Sequence, residues 1–202
     1  MCVVESKLYA EPSIDRKEIL RYAGAAEGLY EIELLLDECL EELKGKLSYR
    51  VCFCELPIRR TDDVLILGSL SIASKDLQKN LKDCERATVF AATVGLELDR
   101  LIARYARLSP SKALLFQAIG AERIEALCDS FNRDVTEEKK GKGLLTRPRF
   151  SPGYGDFPIE VQRDLFAMLD CTKRIGISLN ESLLMTPSKS VTAIIGISNA
   201  LH

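Results

Sequence analysis

Apolar residues near the start of the chain recur every three or four positions, which is the spacing of an amphipathic helix. Within residues 14–47 this period is carried by Leu29, Ile32, Leu36, Leu40, Leu43 and Leu47. Ahead of it, Ser13 followed by residues 15–22 predicts a short capped helix that ends at Gly24. The start of the chain is therefore predicted to be helical.

The next part of the chain is dominated by β-forming residues. The runs that predict strands are Tyr49–Leu56, Val64–Leu67 and Ala87–Val94. Between the second and third of these runs, Ser74 is predicted to be the N-cap of a helix that extends through Cys84. The third run is the most strand-like run in the sequence, which indicates a buried strand.

One helix is predicted before Pro110, over residues 96–108, and another after it, capped by Ser111. The second helix is long, and the charged residues 136–142 beyond it predict a solvated loop. The buried face of this helix is predicted to comprise Phe116, Gly120, Ile124, Leu127, Cys128 and Phe131.

Prolines and glycines crowd residues 148–158, which excludes a regular element there. Pro158 is then predicted to open a helix, and the tail, residues 175–198, alternates short β-rich runs with turns. The helix's buried stripe is Val161, Leu165, Met168 and Leu169. Helices and strands mix without regular alternation, so we predict an α+β fold in which helices flank a mostly antiparallel, twisted sheet. We expect a single domain over residues 1–202, with an N-terminal half, 1–110, and a motif-bearing half, 111–202.

Composition narrows the function classes. Hydrophobic residues make up 47% and charged residues 29%, a balance typical of a folded globular protein. The formal charge of -2 provides no basic field, so nucleic acid is not an expected partner. The apolar runs are far shorter than the roughly 20 residues of a membrane helix. We therefore expect a cytoplasmic protein without a membrane partner.

The cysteines and the histidine exclude much catalytic chemistry. The seven cysteines are scattered through apolar segments and are interpreted as reduced core thiols. Cys52 and Cys54 would share a strand face, but no second pair completes a zinc site. The single histidine is the terminal His202, so no internal histidine can act as a base, a metal ligand or a triad member. We predict neither catalytic acid–base residues nor a metal site.

The segment that carries chemistry runs from Arg149 to Pro158. Arginine offers a planar fork that matches a carboxylate, and glycines let a ligand approach the backbone closely. Together with Tyr154 these features favour an amino-acid-like or nucleoside ligand. From composition alone, a plain turn with Arg149 as a surface charge is the competing interpretation.

Two sequence blocks resemble a known family. Arg149-x-x-x-Gly153-Tyr154, with a proline four residues later, resembles the S-adenosylmethionine-binding loop in the reactivation domain of cobalamin-dependent methionine synthase. Residues 179–191 resemble that domain's Thr-Glu-Ser-x-x-Met-x-Pro-x-x-Ser-Val segment, and residues 121–127 resemble the helix before the loop. The resemblance covers about residues 115–198, while residues 14–22 are similar to the stand-alone members.

The resemblance implies a role for each matching residue. Arg149 would engage the methionine part of S-adenosylmethionine, and Glu125 would be a helix carboxylate near the ligand. The other implied ligand-site positions are Ser151, Gly153 and Tyr154, and the implied corrin-facing positions are Met185, Pro187, Ser188 and Ser190. The implied function is reactivation of a methionine synthase in trans, by positioning the methyl donor for reductive methylation of cob(II)alamin. The partner would carry the cobalamin, and flavodoxin or another donor would supply the electron.

The chain also departs from the family pattern. Asp156 and Phe157 stand where the family usually has a small residue and a cysteine, and Glu160 replaces a histidine. An aspartate that the long enzymes supply near the start of the domain has no clear match. Two alternatives stay open: reactivation of a different corrinoid methyltransferase, and a non-catalytic module that senses S-adenosylmethionine.

Overall fold

The computed structural model describes residues 3–26 and 28–199, so Cys2 and His202 lie outside the described residues. Helices and strands alternate irregularly, as predicted. The strands are β1 (Glu5–Tyr9), β2 (Tyr49–Arg60), β3 (Leu65–Leu67), β4 (Leu70–Ile72), β5 (Cys84–Thr93), β6 (Leu144–Thr146), β7 (Ser178–Leu179), β8 (Met185–Thr186) and β9 (Ser190–Asn199). The helices are α1 (Arg16–Ala23), α2 (Tyr30–Leu43), α3 (Lys75–Asn80), α4 (Glu97–Leu108), α5 (Pro110–Lys140), α6 (Val161–Leu169) and α7 (Cys171–Ile175).

An antiparallel sheet organises the chain and confirms the predicted α+β class. Its strand order is β4-β3-β2-β5-β9-β6, and β1 pairs with the other part of β2. The long strands β2, β5 and β9 lie side by side, with Phe53 opposite Phe90 and Phe90 opposite Ala193. The short strands β7 and β8 form a separate hairpin.

The central strands bury side chains on both faces of the sheet, because other elements pack against each face. Along β5, Phe90 and Ala92 pack with helices α1, α2, α4 and α5, and we call this the first layer. Val89 and Ala91 pack with α3, α6, α7, β3 and β4, which form the second layer. Burial on both sides explains why β5 is continuously buried from Ala87 to Thr93 rather than alternating between buried and exposed positions.

The predicted N-terminal helices are present with shifted ends. Asp15, rather than Ser13, caps α1, because its carboxylate accepts from the backbone N–H groups of Lys17 and Glu18. Gly24 ends the helix with φ of 66°, a conformation that favours glycine. Helix α2 ends at Leu43, so its predicted extension to residue 47 is wrong.

The long helix α5 differs from its prediction at both ends. It begins at Pro110 after Ser109, so Ser111 lies inside the helix rather than capping it. It also continues through Lys140, and the solvated loop predicted at 136–142 is wrong. Lys139 is only 5% exposed, because its ammonium binds Glu55 of β2 at 2.5 Å. Charges that look solvated in the sequence are thus partly paired against the sheet.

Other boundaries also moved. Helix α3 is shorter than predicted, the helix expected to open at Pro158 begins at Val161 after a turn, and β1, β6 and α7 were not predicted. The described cysteines are all buried, and Cys52 and Cys54 share the second layer as their spacing predicted. Within residues 3–26 and 28–199, no helix combines the length and apolar character needed to cross a bilayer.

Candidate functional site

The turn-rich segment Arg149–Phe157, which we call the site loop, continues the sheet past β6. Phe150 pairs with Ile194 of β9 through two backbone hydrogen bonds of 2.9 Å, each residue donating one N–H. The start of the site loop is therefore fixed to the sheet. The residues that follow Phe150 therefore start from a fixed position beside β9.

The far end of the site loop is held by hydrogen bonds to and from the N-terminal end of α3. Asp156 accepts hydrogen bonds from the Ser74 hydroxyl at 2.5 Å and from the backbone N–H groups of Lys75 at 2.8 Å and Asp76 at 3.0 Å. In return, the Asp156 N–H donates to the Asp76 carboxylate at 3.1 Å. The Ser74 hydroxyl, followed by the backbone donors, lowers the pKa of Asp156.

Gly155 makes these hydrogen bonds between the site loop and α3 possible. Its φ is +55°, and a Cβ there would lie 2.2 Å from the Asp76 carboxylate. Only glycine combines that backbone conformation with that approach. The neighbouring Phe157 is 1% exposed in the second layer and stacks on Phe150 with centroids 6.2 Å apart. Two departures from the family pattern, Asp156 and Phe157, thus anchor the site loop, whereas Glu160 is exposed.

Arg149 is the charged centre of the site. Its guanidinium donates to Glu125 at 2.5 Å and to Asp129 at 2.6 Å, two carboxylates one turn apart on α5. Arg149 is 22% exposed, against 46% and 62% for these partners. Burial works to lower the pKa of Arg149, but its hydrogen bonds and the nearby negative charges raise it above the ordinary value. The cation is therefore permanent, half-buried and already paired.

Beside Arg149 lies a cavity of about 270 Å³, which we call the site cavity. Residues from the site loop, α5, α6, β8 and β9 line it. The predicted site residues that line it are Glu125, Arg149, Ser151, Tyr154, Met185 and Ser190. The structure thus brings most of the candidate residues together from distant parts of the chain.

Three predicted residues do not line the site cavity. Gly153, with φ of +91°, shapes the site loop through the hydrogen bond from its N–H to the Phe157 carbonyl at 2.8 Å. The Ser188 N–H donates to the Asp99 carboxylate of α4, and the Pro187 carbonyl accepts from the Ser190 hydroxyl at 2.7 Å. Gly153, Pro187 and Ser188 thus fix the backbone of the segments whose other residues line the site cavity.

Lys189, between Ser188 and Ser190, is packed against α5. A Cβ at Gly120 would lie 2.7 Å from Lys189 Cε and 2.8 Å from Cγ, so glycine at that helix position leaves room for the lysine stem. Burial lowers the pKa of Lys189, although nearby Asp99 opposes the shift. Among the residues that the structure describes, none forms an ion pair with this ammonium.

Sequence reasoning missed two polar residues of the site cavity, Gln162 of α6 and Thr192 of β9. They are 7% and 2% exposed, and neither Gln162 Oε1 nor Thr192 Oγ1 has a hydrogen-bond partner in the described part of the chain. The available signal was a polar residue inside each apolar stripe. Thr192 lies among the apolar residues of β9, and Gln162 follows Val161 at the start of α6.

A second cavity of about 460 Å³, the acidic cavity, shares Glu125 with the site cavity. Arg133 is the basic residue in its wall. Its acidic lining residues are Asp15, Glu18, Glu122, Glu125 and Asp129. Because Arg149 pairs with Glu125 and Asp129, its ion pairs connect the walls of the two cavities.

A sheet covered by helices on both faces, with a charged cavity lined by α5, α6 and β9, defines an α+β domain, and cavities of this kind are where small ligands usually bind. The chain belongs to the family described as vitamin B12 dependent methionine synthase, activation domain, whose model matches residues 72–200.

A solved structure described as the MetH reactivation domain bound to AdoHcy has the same fold. The TM-score is 0.70 at 16% sequence identity, and the match covers 96% of this chain and 78% of that chain. At that identity the likeness concerns the fold, which confirms the architecture expected from the sequence.

Proposed function

We propose that this chain binds S-adenosylmethionine in the site cavity and serves as a reactivation partner for cobalamin-dependent methionine synthase. In that role it would position the methyl donor for reductive methylation of cob(II)alamin on the partner. The observation that carries the proposal is the placement of the Arg149 guanidinium at the site cavity, beside Glu125. Family membership and the AdoHcy-bound neighbour support it.

The charges of the site cavity suit the amino-acid end of such a ligand. Arg149 can take a carboxylate through two parallel hydrogen bonds, and Glu125 can accept from an ammonium. In the structure these two side chains bind each other. Ligand binding therefore exchanges an internal ion pair for two ligand contacts, so that neither charge loses its partner.

The sizes of the two cavities favour a ligand with two parts. Small-molecule sites range over roughly 300 to 1,000 Å³, so the site cavity at about 270 Å³ suits one part of S-adenosylmethionine. The acidic cavity, at about 460 Å³, shares Glu125 and offers carboxylate acceptors for ribose hydroxyls and the adenine amino group. We assign the amino-acid end to the site cavity and the nucleoside to the acidic cavity.

Tyr154 and the β7–β8 hairpin provide the proposed face toward the partner's corrin. Tyr154 lines the site cavity but is 67% exposed, and its ring could contact the sulfonium, an interaction worth about 0.5 to 2 kcal/mol. Leu184 is 64% exposed beside Met185, which also lines the cavity. Apolar and aromatic surface next to the ligand is what a flat macrocycle carried by another protein would need.

S-adenosylmethionine supplies the transferable methyl group. The residues of this chain bind and orient it, which is catalysis by proximity and requires neither acid nor base. The cobalamin and the electron are assigned to the partner and to an external donor such as flavodoxin. We propose that residues 1–202 act as one domain in this role.

The test is calorimetric titration of the protein with S-adenosylmethionine, alone and with a cobalamin-loaded methionine synthase that lacks this domain. Binding that tightens with the partner, followed by single-turnover formation of methylcobalamin once reduced flavodoxin supplies the electron, is the expected result. Binding without methyl transfer would favour the sensing module, and transfer only to another corrinoid protein would favour the other methyltransferase. Absence of binding in every case would refute the proposal.

A further inference from the structure

Two residues that line the site cavity each carry a buried side-chain oxygen without a hydrogen-bond partner. The described residues contain four such side-chain oxygens, on Asn80, Asn132, Gln162 and Thr192, and the last two residues line the site cavity. A buried polar group without a hydrogen bond destabilises a fold, and native proteins satisfy most of theirs. Two residues with such groups, one on α6 and one on β9, line the same cavity, and we take this as a sign of a ligand there.

We infer that Gln162 and Thr192 are specificity-determining residues that hydrogen-bond the amino-acid end of the ligand. The inference rests on the proposed function, which it deepens. Gln162 Oε1 can only accept a hydrogen bond, so its partner must be a donor such as the α-ammonium. The Thr192 hydroxyl can both donate and accept, so it can bind either charged group.

The charge distribution decides which end of the ligand these residues meet. The acidic cavity has five carboxylates in its wall and Arg133 as its basic lining residue, so a ligand carboxylate is less favoured there than beside Arg149. The site cavity instead contains the guanidinium of Arg149. The carboxylate and its neighbouring ammonium therefore belong in the cavity that Gln162 and Thr192 line.

The inference predicts opposite effects on folding and on binding. Gln162→Met and Thr192→Val keep nearly the same volume and remove the unpaired oxygens. Each variant should melt at the same temperature as the wild type or higher, because a destabilising buried polar group is gone. A merely structural role for these side chains would instead lower the melting temperature.

The binding experiment uses two ligands that differ in the end under test. S-adenosylhomocysteine has the amino-acid end, whereas 5′-methylthioadenosine has the nucleoside and sulfur without it. Each variant should bind S-adenosylhomocysteine about tenfold more weakly or worse, the loss expected for a hydrogen bond to a charged group. Affinity for 5′-methylthioadenosine should not change.

Asn132→Leu is the matched control, because Asn132 also has an unpaired buried oxygen but does not line the site cavity. It should leave the affinity for both ligands unchanged. Wild-type binding with no loss in either variant overturns the inference, as does equal weakening for both ligands. If wild-type protein binds neither ligand, the proposed function itself fails.

Discussion

Replacing Arg149 tests the charged centre of the site. In Arg149→Ala the ligand carboxylate loses charge-assisted hydrogen bonds, which contribute about 1.5 to 3 kcal/mol. Affinity should therefore fall by about 10- to 150-fold. The fold should suffer little, because the partners Glu125 and Asp129 are 46% and 62% exposed and such pairs contribute at most about 1 kcal/mol each.

Calorimetry with S-adenosylhomocysteine and thermal unfolding measure the two effects separately. Arg149→Lys keeps the charge but loses the planar fork, so its affinity should lie between those of wild type and Arg149→Ala. Asp129→Asn removes one competitor for the guanidinium and should tighten binding, by no more than about fivefold. Unchanged affinity in a folded Arg149→Ala protein would refute the reasoning, and so would weakening by Asp129→Asn to the level of Arg149→Ala.

The remaining predictions concern the site loop and its surroundings. Gly155→Ala adds about 1 to 2 kcal/mol of backbone strain and a clash with Asp76, so it should weaken ligand binding and lower the melting temperature. Gly176→Ala, at φ of +75° with nothing within 4 Å of the added Cβ, should show the backbone strain alone. An equal decrease in melting temperature in the two variants would refute the clash with Asp76. For Asp156, the depressed pKa means that its stabilisation is complete above the ordinary value near pH 4 and is lost as the pH falls through the lowered value. The stability difference between wild type and Asp156→Asn should therefore shrink in acid, and a constant difference would contradict this. Lys189→Met removes a desolvated ammonium and should raise the melting temperature; a decrease would show that the charge is stabilised.

Hydrophobic periodicity predicted the elements that bury a continuous face. Helix α5 presents Phe116, Ile124 and Phe131 to the first layer at helical spacing, and β5 is apolar on both sides because both of its faces are covered. Periodicity could not locate the end of α5. The contact that stabilises its last turn joins Lys139 to Glu55, residues that are far apart in the sequence.

Most candidate ligand residues came from motif resemblance, which locates side chains without giving their contacts. The sequence placed Arg149 in a ligand loop, but it did not show that Glu125 and Asp129 bind the guanidinium. Nor did it show that Asp156 anchors the loop, because that role depends on the position of α3. The roles of Gln162 and Thr192 follow from missing hydrogen bonds, which only the packed structure reveals.

The position of the site cavity between the two layers has a consequence for unfolding. Glu125 belongs to α5 in the first layer, Gln162 to α6 in the second, and Thr192 to the strand between them. A ligand that contacts all three opposes separation of either layer from the sheet. Saturating ligand should therefore make the two layers unfold as one cooperative unit, with hydrogen exchange slowed on both faces of the sheet at once.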